Sequence, residues 1–191
     1  MNASFIDDIV KAVEVLRSGG IILYPTDTIW GIGCDATNPA AVKRIYEIKQ
    51  RQDTRGMLVL MENANLLSSY ISEVPEIAWE LIEVACRPLT IIFPGAKNLA
   101  ANLLAQDGSV GIRITNEAFT QQLIQRFRKP VVSTSANLSG QKSPRNFTEI
   151  GDDIKKSVDY IVGYRQDDFV RSKPSEIIKL GAGGQIEIIR K

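Results

Sequence analysis

The chain has 191 residues, 44% of them hydrophobic and 24% charged, with a net charge of +1. That is enough for one domain over 1–191 with a sizeable core, and too near neutral for a global field that draws in nucleic acid or membrane, so any anion site must be a local cluster. The absence of histidine excludes His–Asp triads and His acid–base work. Cys34 and Cys86 without a CxxC, no signal-peptide pattern, and no apolar run near the ~18 residues of a membrane span point to a reduced, cytoplasmic chain with neither zinc nor membrane anchor.

Phe5, Ile6, Ile9, Val10, Val13 and Leu16 recur at helical spacing, which predicts an amphipathic helix over ~4–17, ended by Ser18-Gly19-Gly20. Ile21–Tyr24 reads as a short apolar strand and Pro25–Cys34 as loop or irregular strand. Asn38-Pro39 opens a helix, with Asn as cap and Pro at the first helical position. Its apolar face is Val42, Ile45 and Ile48. Met57–Met61 is the next strand, Asn63–Ile71 and Pro75–Ala85 are helices, and Leu89–Phe93 is a strand closed by Pro94-Gly95. A short helix is expected over Asn98–Ala105 and a strand over Val110–Ile114. Asn116 is expected to cap a helix that buries Phe119, Leu123, Ile124 and Phe127. Pro130–Ser133 reads as a strand, Thr134–Gly140 as a polar loop, and Ser143–Ser157 as irregular with a short helix. The tail supplies strands near Asp159–Val162, Glu176–Leu180 and Gln185–Arg190, with a turn at Gly181–Gly184. Strands alternate with helices early and bunch late, which argues an α/β fold with a mixed sheet and flanking helices.

Four stretches carry the residues that can do chemistry. Lys49-Gln50-Arg51 stands at a helix end. It is either a solvated terminus that complements the helix dipole, or a phosphate grip if the helix stops between the two cations, with Arg55 as a third charge. Ser133-Thr134-Ser135-Ala136-Asn137-Leu138-Ser139-Gly140 follows a strand, where α/β sheets bind ligands. It is either an oxygen-binding loop or a turn that satisfies its own backbone. Tyr24-Pro25-Thr26-Asp27-Thr28 sets two hydroxyls around a carboxylate, suited to an amino acid, a metal or a local turn. Arg113, a lone cation in the apolar Ser109–Arg113 run, needs a partner or a ligand unless it faces solvent. There is no Walker A sequence, and Gly31-Ile32-Gly33 lacks the third glycine of a dinucleotide fingerprint. The 139–151 segment reads as a loop over a site.

Taken together, YPTDTIWGIGCDA, the IKQR helix end, SVGIRI and VVSTSANLSG followed by Ser143-Pro144 resemble the YrdC/TsaC family of L-threonylcarbamoyladenylate synthases, in its single-domain form. The resemblance runs from Phe5 to Arg190. It implies an open, twisted α/β sheet with a concave, positively lined face. It also implies a nucleotidyltransferase that joins L-threonine, bicarbonate or CO2 and ATP into threonylcarbamoyl-AMP, with release of pyrophosphate. Mg²⁺ would come with the ATP phosphates. A partner complex would move the threonylcarbamoyl group onto an adenosine next to the anticodon of tRNA, and binding of tRNA or double-stranded RNA is a further expectation. By motif match the resemblance assigns Lys49, Arg51, Ser135 and Asn137 as the signature quartet. It assigns Thr28, Arg113, Ser133 and Ser175 to threonine, and Arg51, Arg55, Ser109, Ser135, Ser143 and Arg190 to ATP.

Overall fold

The computed structural model describes residues 3–50, 57–169, 173–181 and 183–191. In chain order the elements are α1 (Ala3–Arg17), β1 (Ile22–Tyr24), β2 (Gly31–Gly33), α2 (Pro39–Ile48), β3 (Leu58–Met61), α3 (Leu67–Tyr70), α4 (Glu76–Val84), β4 (Leu89–Phe93), β5 (Val110–Ile114), α5 (Ala118–Phe127), β6 (Val131–Ser135), α6 (Asp152–Ser157), β7 (Tyr160–Ile161), β8 (Glu176–Leu180) and β9 (Ile186–Arg190). The strands join in one sheet, ordered β7-β1-β2-β6-β3-β5-β4-β8-β9. Pairs β1–β7, β3–β5 and β4–β8 are parallel and the others antiparallel. This is the mixed α/β sheet that the element pattern predicts. Among the described residues no helix is long and apolar enough to cross a membrane.

Residues paired across neighbouring strands share a face of the sheet, and the register therefore sorts the strand residues. Leu23, Ile32, Val132, Val59, Ile112, Ile91 and Ile178 fall on one face, packed with Ala41, Val42 and Ile45 of α2, Leu67 of α3, Ala78 of α4 and Ile154 of α6. Ile22, Tyr24, Val131 and Leu60 fall on the other, under Phe5, Ile9, Val13 and Leu16 of α1 and Phe119, Leu123 and Phe127 of α5. Phe5 meets Phe119 and Tyr164 edge-on at 5.7 and 4.8 Å, pairs that add about 0.5–1.5 kcal/mol each beyond their burial. Beyond Leu60 and Val131 this second face turns polar. Leu58 pairs with Ser133, Leu60 with Arg113, Arg113 with Thr90, Thr90 with Ile177, and Ile177 with Arg190. Alternation in β5 (Gly111, Arg113) and β6 (Ser133, Ser135) puts the small and polar residues here and the apolar ones between them in the core.

Local structure departs from the sequence expectation at three places. Asn98–Ala105 is not a helix beyond a 3-10 turn at Ala101–Leu103, because Asn98 takes a left-handed φ of 56° and the residues on either side of the turn, Ala100 (ψ 127°) and Leu104 (ψ 146°), are extended. The cap of α5 is Glu117, whose carboxylate accepts from Thr120 N, rather than Asn116. And β6 runs on through Thr134 and Ser135, since the backbone of β2 pairs with it at Gly31–Ser135 and Ile32–Thr134.

Candidate functional site

The loop from Pro25 to Trp30 leaves β1 and folds against the polar part of the sheet. It is braced internally by one hydroxyl. Thr26 Oγ1 donates to Ile29 O (2.8 Å) and accepts from Thr28 N (3.0 Å). With its single proton given to Ile29, Thr26 must accept in its 3.0 Å contact with Thr28 Oγ1. The Thr28 hydroxyl therefore points its proton inward and keeps its lone pairs for the cavity. From behind, Arg165 Nη1 donates to Thr26 O (3.2 Å), and Thr120 Oγ1 lies 3.1 Å from Pro25 O.

One cavity gathers Thr28, Trp30, Arg113, Ser133, Ser135, Ser175 and Arg190, along with Leu58 and Pro174. All four residues assigned to threonine by motif match stand here, together with Ser135 and Arg190 from the nucleotide set. Arg113 is 3% exposed, and its Nη2 lies 2.8 Å from Asp27 Oδ1. The contact is close but not aligned as a hydrogen bond, and Arg113 Nε is buried with no hydrogen-bond partner among the described residues. Burial pushes the Asp27 carboxyl above its ordinary range, with Arg113 opposing the shift. Arg190 donates through Nε to Ser175 O (2.9 Å). Its guanidinium is held below its ordinary range by burial and by the charge of Arg113. Ser175 Oγ is 2.8 Å from Thr90 Oγ1. Among the described residues two cations stand against one carboxylate here, which leaves this part of the sheet suited to an anionic group.

Gly31 forms the floor beside Ser133: a Cβ there would stand 2.9 Å from Ser133 Oγ and 3.3 Å from Thr134 O. Trp30 packs on Phe147 at 4.9 Å between centroids, which ties the 139–151 segment to the cavity rim. Next to this cavity lies a wider cleft that shares Pro174 and Arg190 with it and is lined also by Asp27, Arg87, Lys173 and Glu176.

Lys49 is the C-cap of α2, and the chain turns at once through Gln50 with φ 50°, so the helix stops ahead of the cation pair. The Lys49 ammonium is 2% exposed and donates to Ser135 O (2.7 Å) and Asn137 O (2.8 Å). Ser139 N donates back to Lys49 O (3.1 Å). Asn137 Nδ2 donates to Leu138 O and Gln141 O, while its Oδ1 is buried and has no hydrogen-bond partner among the described residues. Three of the signature quartet thus meet at the end of β6. Arg51 and Arg55 lie outside the described residues. Ser109 and Ser143 do not line the cavity. Ser109 donates both its N–H and its hydroxyl to Asp107 Oδ1, and Asp107 Oδ2 in turn sits 2.8 Å from Lys179 Nζ.

In the sequence Asp27 stands as a loop carboxylate, and nothing local marks it as the partner of Arg113, 86 residues away. A lone cation in an apolar strand signals that some partner exists, not which one. Thr90, Leu58 and Pro174 carry no local signal at all.

The Sua5/YciO/YrdC family model, described as telomere recombination, matches residues 14–191. A threonylcarbamoyl-AMP synthase of Pseudoalteromonas translucida is 34% identical over 157 residues, 81% of this chain and 84% of that protein. Among solved structures, E. coli YciO superposes with a TM-score of 0.82 at 29% identity, covering 96% of this chain and 88% of YciO. A variant of P. abyssi Sua5 superposes with a TM-score of 0.83 at 25% identity, covering 97% of this chain; the match spans 56% of the Sua5 chain.

Proposed function

This chain belongs to the Sua5/YciO/YrdC family, and from that premise we propose that it is an L-threonylcarbamoyl-AMP synthase, joining L-threonine, bicarbonate or CO2 and ATP with release of pyrophosphate. The observation that carries this reading is the convergence of Thr28, Arg113, Ser133 and Ser175 on one cavity, contiguous through Ser135 with the Lys49–Asn137 corner. Arg113, whose Nε has no hydrogen-bond partner among the described residues, takes the amino acid's carboxylate; Thr28, Ser133 and Ser175 offer oxygens to its amine and hydroxyl. Lys49, Ser135 and Asn137 form the fixed corner against which the triphosphate is held, with Arg51, Arg55, Ser143 and Arg190 as its further contacts. Ser109 has both donors committed to Asp107, so it has only lone pairs to offer and serves a donor on the nucleotide rather than a phosphate oxygen.

The threonine carbamate is already an anion, so its attack on the α-phosphate needs positioning and charge stabilisation rather than a base at that step. Mg²⁺ enters as part of the Mg–ATP substrate. Among the described residues no three His, Cys, Asp or Glu side chains stand close enough to form a metal site of their own. The adenylate then passes to a partner complex that modifies tRNA beside the anticodon.

Pyrophosphate release from ATP tests the reading: it should require both threonine and bicarbonate. Release independent of threonine would count against it. Gly31→Ala gives a local check. Its Cβ turns the Ser133 hydroxyl away, and losing one hydrogen bond of about 0.5–1.5 kcal/mol should raise the KM for threonine about 2- to 13-fold. Gly33→Ala should instead act on stability, because its Cβ would meet Val132 O at 2.3 Å, an overpacking that costs about 1–3 kcal/mol. Thermal melts and threonine titrations of the two variants separate these outcomes.

A further inference from the structure

Carbamate formation releases a proton. From the ammonium form of an amino acid, RNH3⁺ + HCO3⁻ → RNHCO2⁻ + H2O + H⁺: the C–N bond forms, a C–O bond breaks to give water, and one proton must leave the site. The chain has no histidine to receive it. None of the described residues that line the Thr28–Arg113 cavity is a carboxylate. Among the described residues the adjoining cleft is lined by two, Asp27 and Glu176. Glu176 is 41% exposed and stands 3.4 Å from Arg87, whereas Asp27 is 11% exposed and follows directly on the braced Thr26 in the loop that carries Thr28.

Arg113 links Asp27 to the amino acid. Nη2 and Nε of a guanidinium form one side-on fork. Asp27 Oδ1 stands at Nη2, and Nε is buried without a hydrogen-bond partner among the described residues. An amino-acid carboxylate seated on Nε has its nitrogen only one carbon further on, so the ammonium falls beside the carboxylate on Nη2. We propose that Asp27 is the proton acceptor for the substrate ammonium during carbamate formation, a role that rests on the synthase reading above. One Asp27 oxygen stays on Arg113, the other takes the proton, and the open cleft returns it to solvent.

The environment agrees. Burial already raises the proton affinity of Asp27, and a second carboxylate on the same fork raises it further. Among the described residues the other charged or titratable groups near it are Tyr24 on β1, Arg165, whose Nη1 donates to Thr26 O behind the loop and which is paired with Asp168, and, along the cleft, Arg87, Lys173, Glu176 and Arg190. Tyr24 is buried and held well above its ordinary range, so it stays neutral and does not compete for the proton.

The test separates the two halves of the reaction. Forward synthesis from threonine, bicarbonate and ATP includes the proton loss. Pyrophosphorolysis of ready-made threonylcarbamoyl-AMP, read as ATP formed on adding pyrophosphate, stops at the carbamate and does not. Asp27→Asn should slow the forward reaction at least about 10²-fold and the reverse step by no more than about 3-fold. Equal loss in both directions would mean that Asp27 only holds Arg113, and no loss in either would remove it from the reaction; both results overturn the proposal. If the Asn variant is unfolded by circular dichroism, Asp27→Glu carries the test. It should keep the forward rate within about 10-fold, and a parallel fall in both directions again overturns the role. A wild-type protein that makes neither product defeats the synthase reading instead, and is thereby told apart from a failure of Asp27.

Discussion

Replacing Lys49 with alanine is expected to slow adenylate formation on the order of 10–150-fold, the effect of losing a charge-assisted bond of roughly 1.5–3 kcal/mol that strengthens in the transition state. The chain of causes is local. α2 ends at Ile48, Gln50 reverses the backbone at φ 50°, and the buried ammonium of Lys49 ties Ser135 O and Asn137 O together. Without it two carbonyls lose their donor and the corner at the end of β6 loosens. Lys49→Met keeps the volume and removes the charge, so it isolates the electrostatic part. It should melt only a few degrees below wild type, since about 1 kcal/mol shifts the melting temperature by roughly 2–4 °C in a chain of this size. Pyrophosphate-release rates and melting curves of both variants check this. A Met variant with near-normal turnover would remove Lys49 from the reaction.

Arg113→Ala has a second cost. It strips the cavity of its buried guanidinium and leaves Asp27 buried without its counter-charge, a loss of about 3–5 kcal/mol when one partner of such a pair is removed. The deficit should depend on pH with a definite sign. Asp27 in the folded variant has a pKa raised above its unfolded value, because burial is no longer opposed by Arg113. A raised carboxyl contributes stability that is present below the unfolded pKa and is lost as pH rises through the folded one. The variant should therefore gain on wild type as the pH falls from neutral toward the ordinary carboxylate range. Arg113→Met combined with Asp27→Leu should recover most of the stability, because apolar pairs replace buried ion pairs at little cost, yet remain unable to use threonine. Chemical denaturation at two pH values and threonine-dependent turnover distinguish the two effects.

Why some of this was readable in the sequence and some was not follows from range. The bounds of β4 and the ends of β5 and β8 were legible because apolar runs are cut at Pro88 and Pro94-Gly95, at the polar residues after Ile114, and at Gly181. The start of α2 was legible because Asn38 and Pro39 do local work, with Asn38 Oδ1 accepting from Ala40 N and Ala41 N. The last two residues of β6 read as loop, since Thr134 and Ser135 look like turn formers. What makes them strand is the β2 backbone about a hundred residues earlier. The same long range hides the pairing of Asp27 with Arg113 and of Thr90 with Ser175. The alternation of Gly111 with Arg113 and of Ser133 with Ser135 was in plain view. Its meaning, a polar half-face left open beside α1 and α5, emerges only once the register is known.

Mass spectrometry of the nucleotide product tests the central claim most directly. ATP, L-threonine and bicarbonate together should give threonylcarbamoyl-AMP in step with pyrophosphate, and neither should form when threonine is left out. AMP or pyrophosphate formed without threonine, or no adduct of threonine with AMP when all three are supplied, would contradict it.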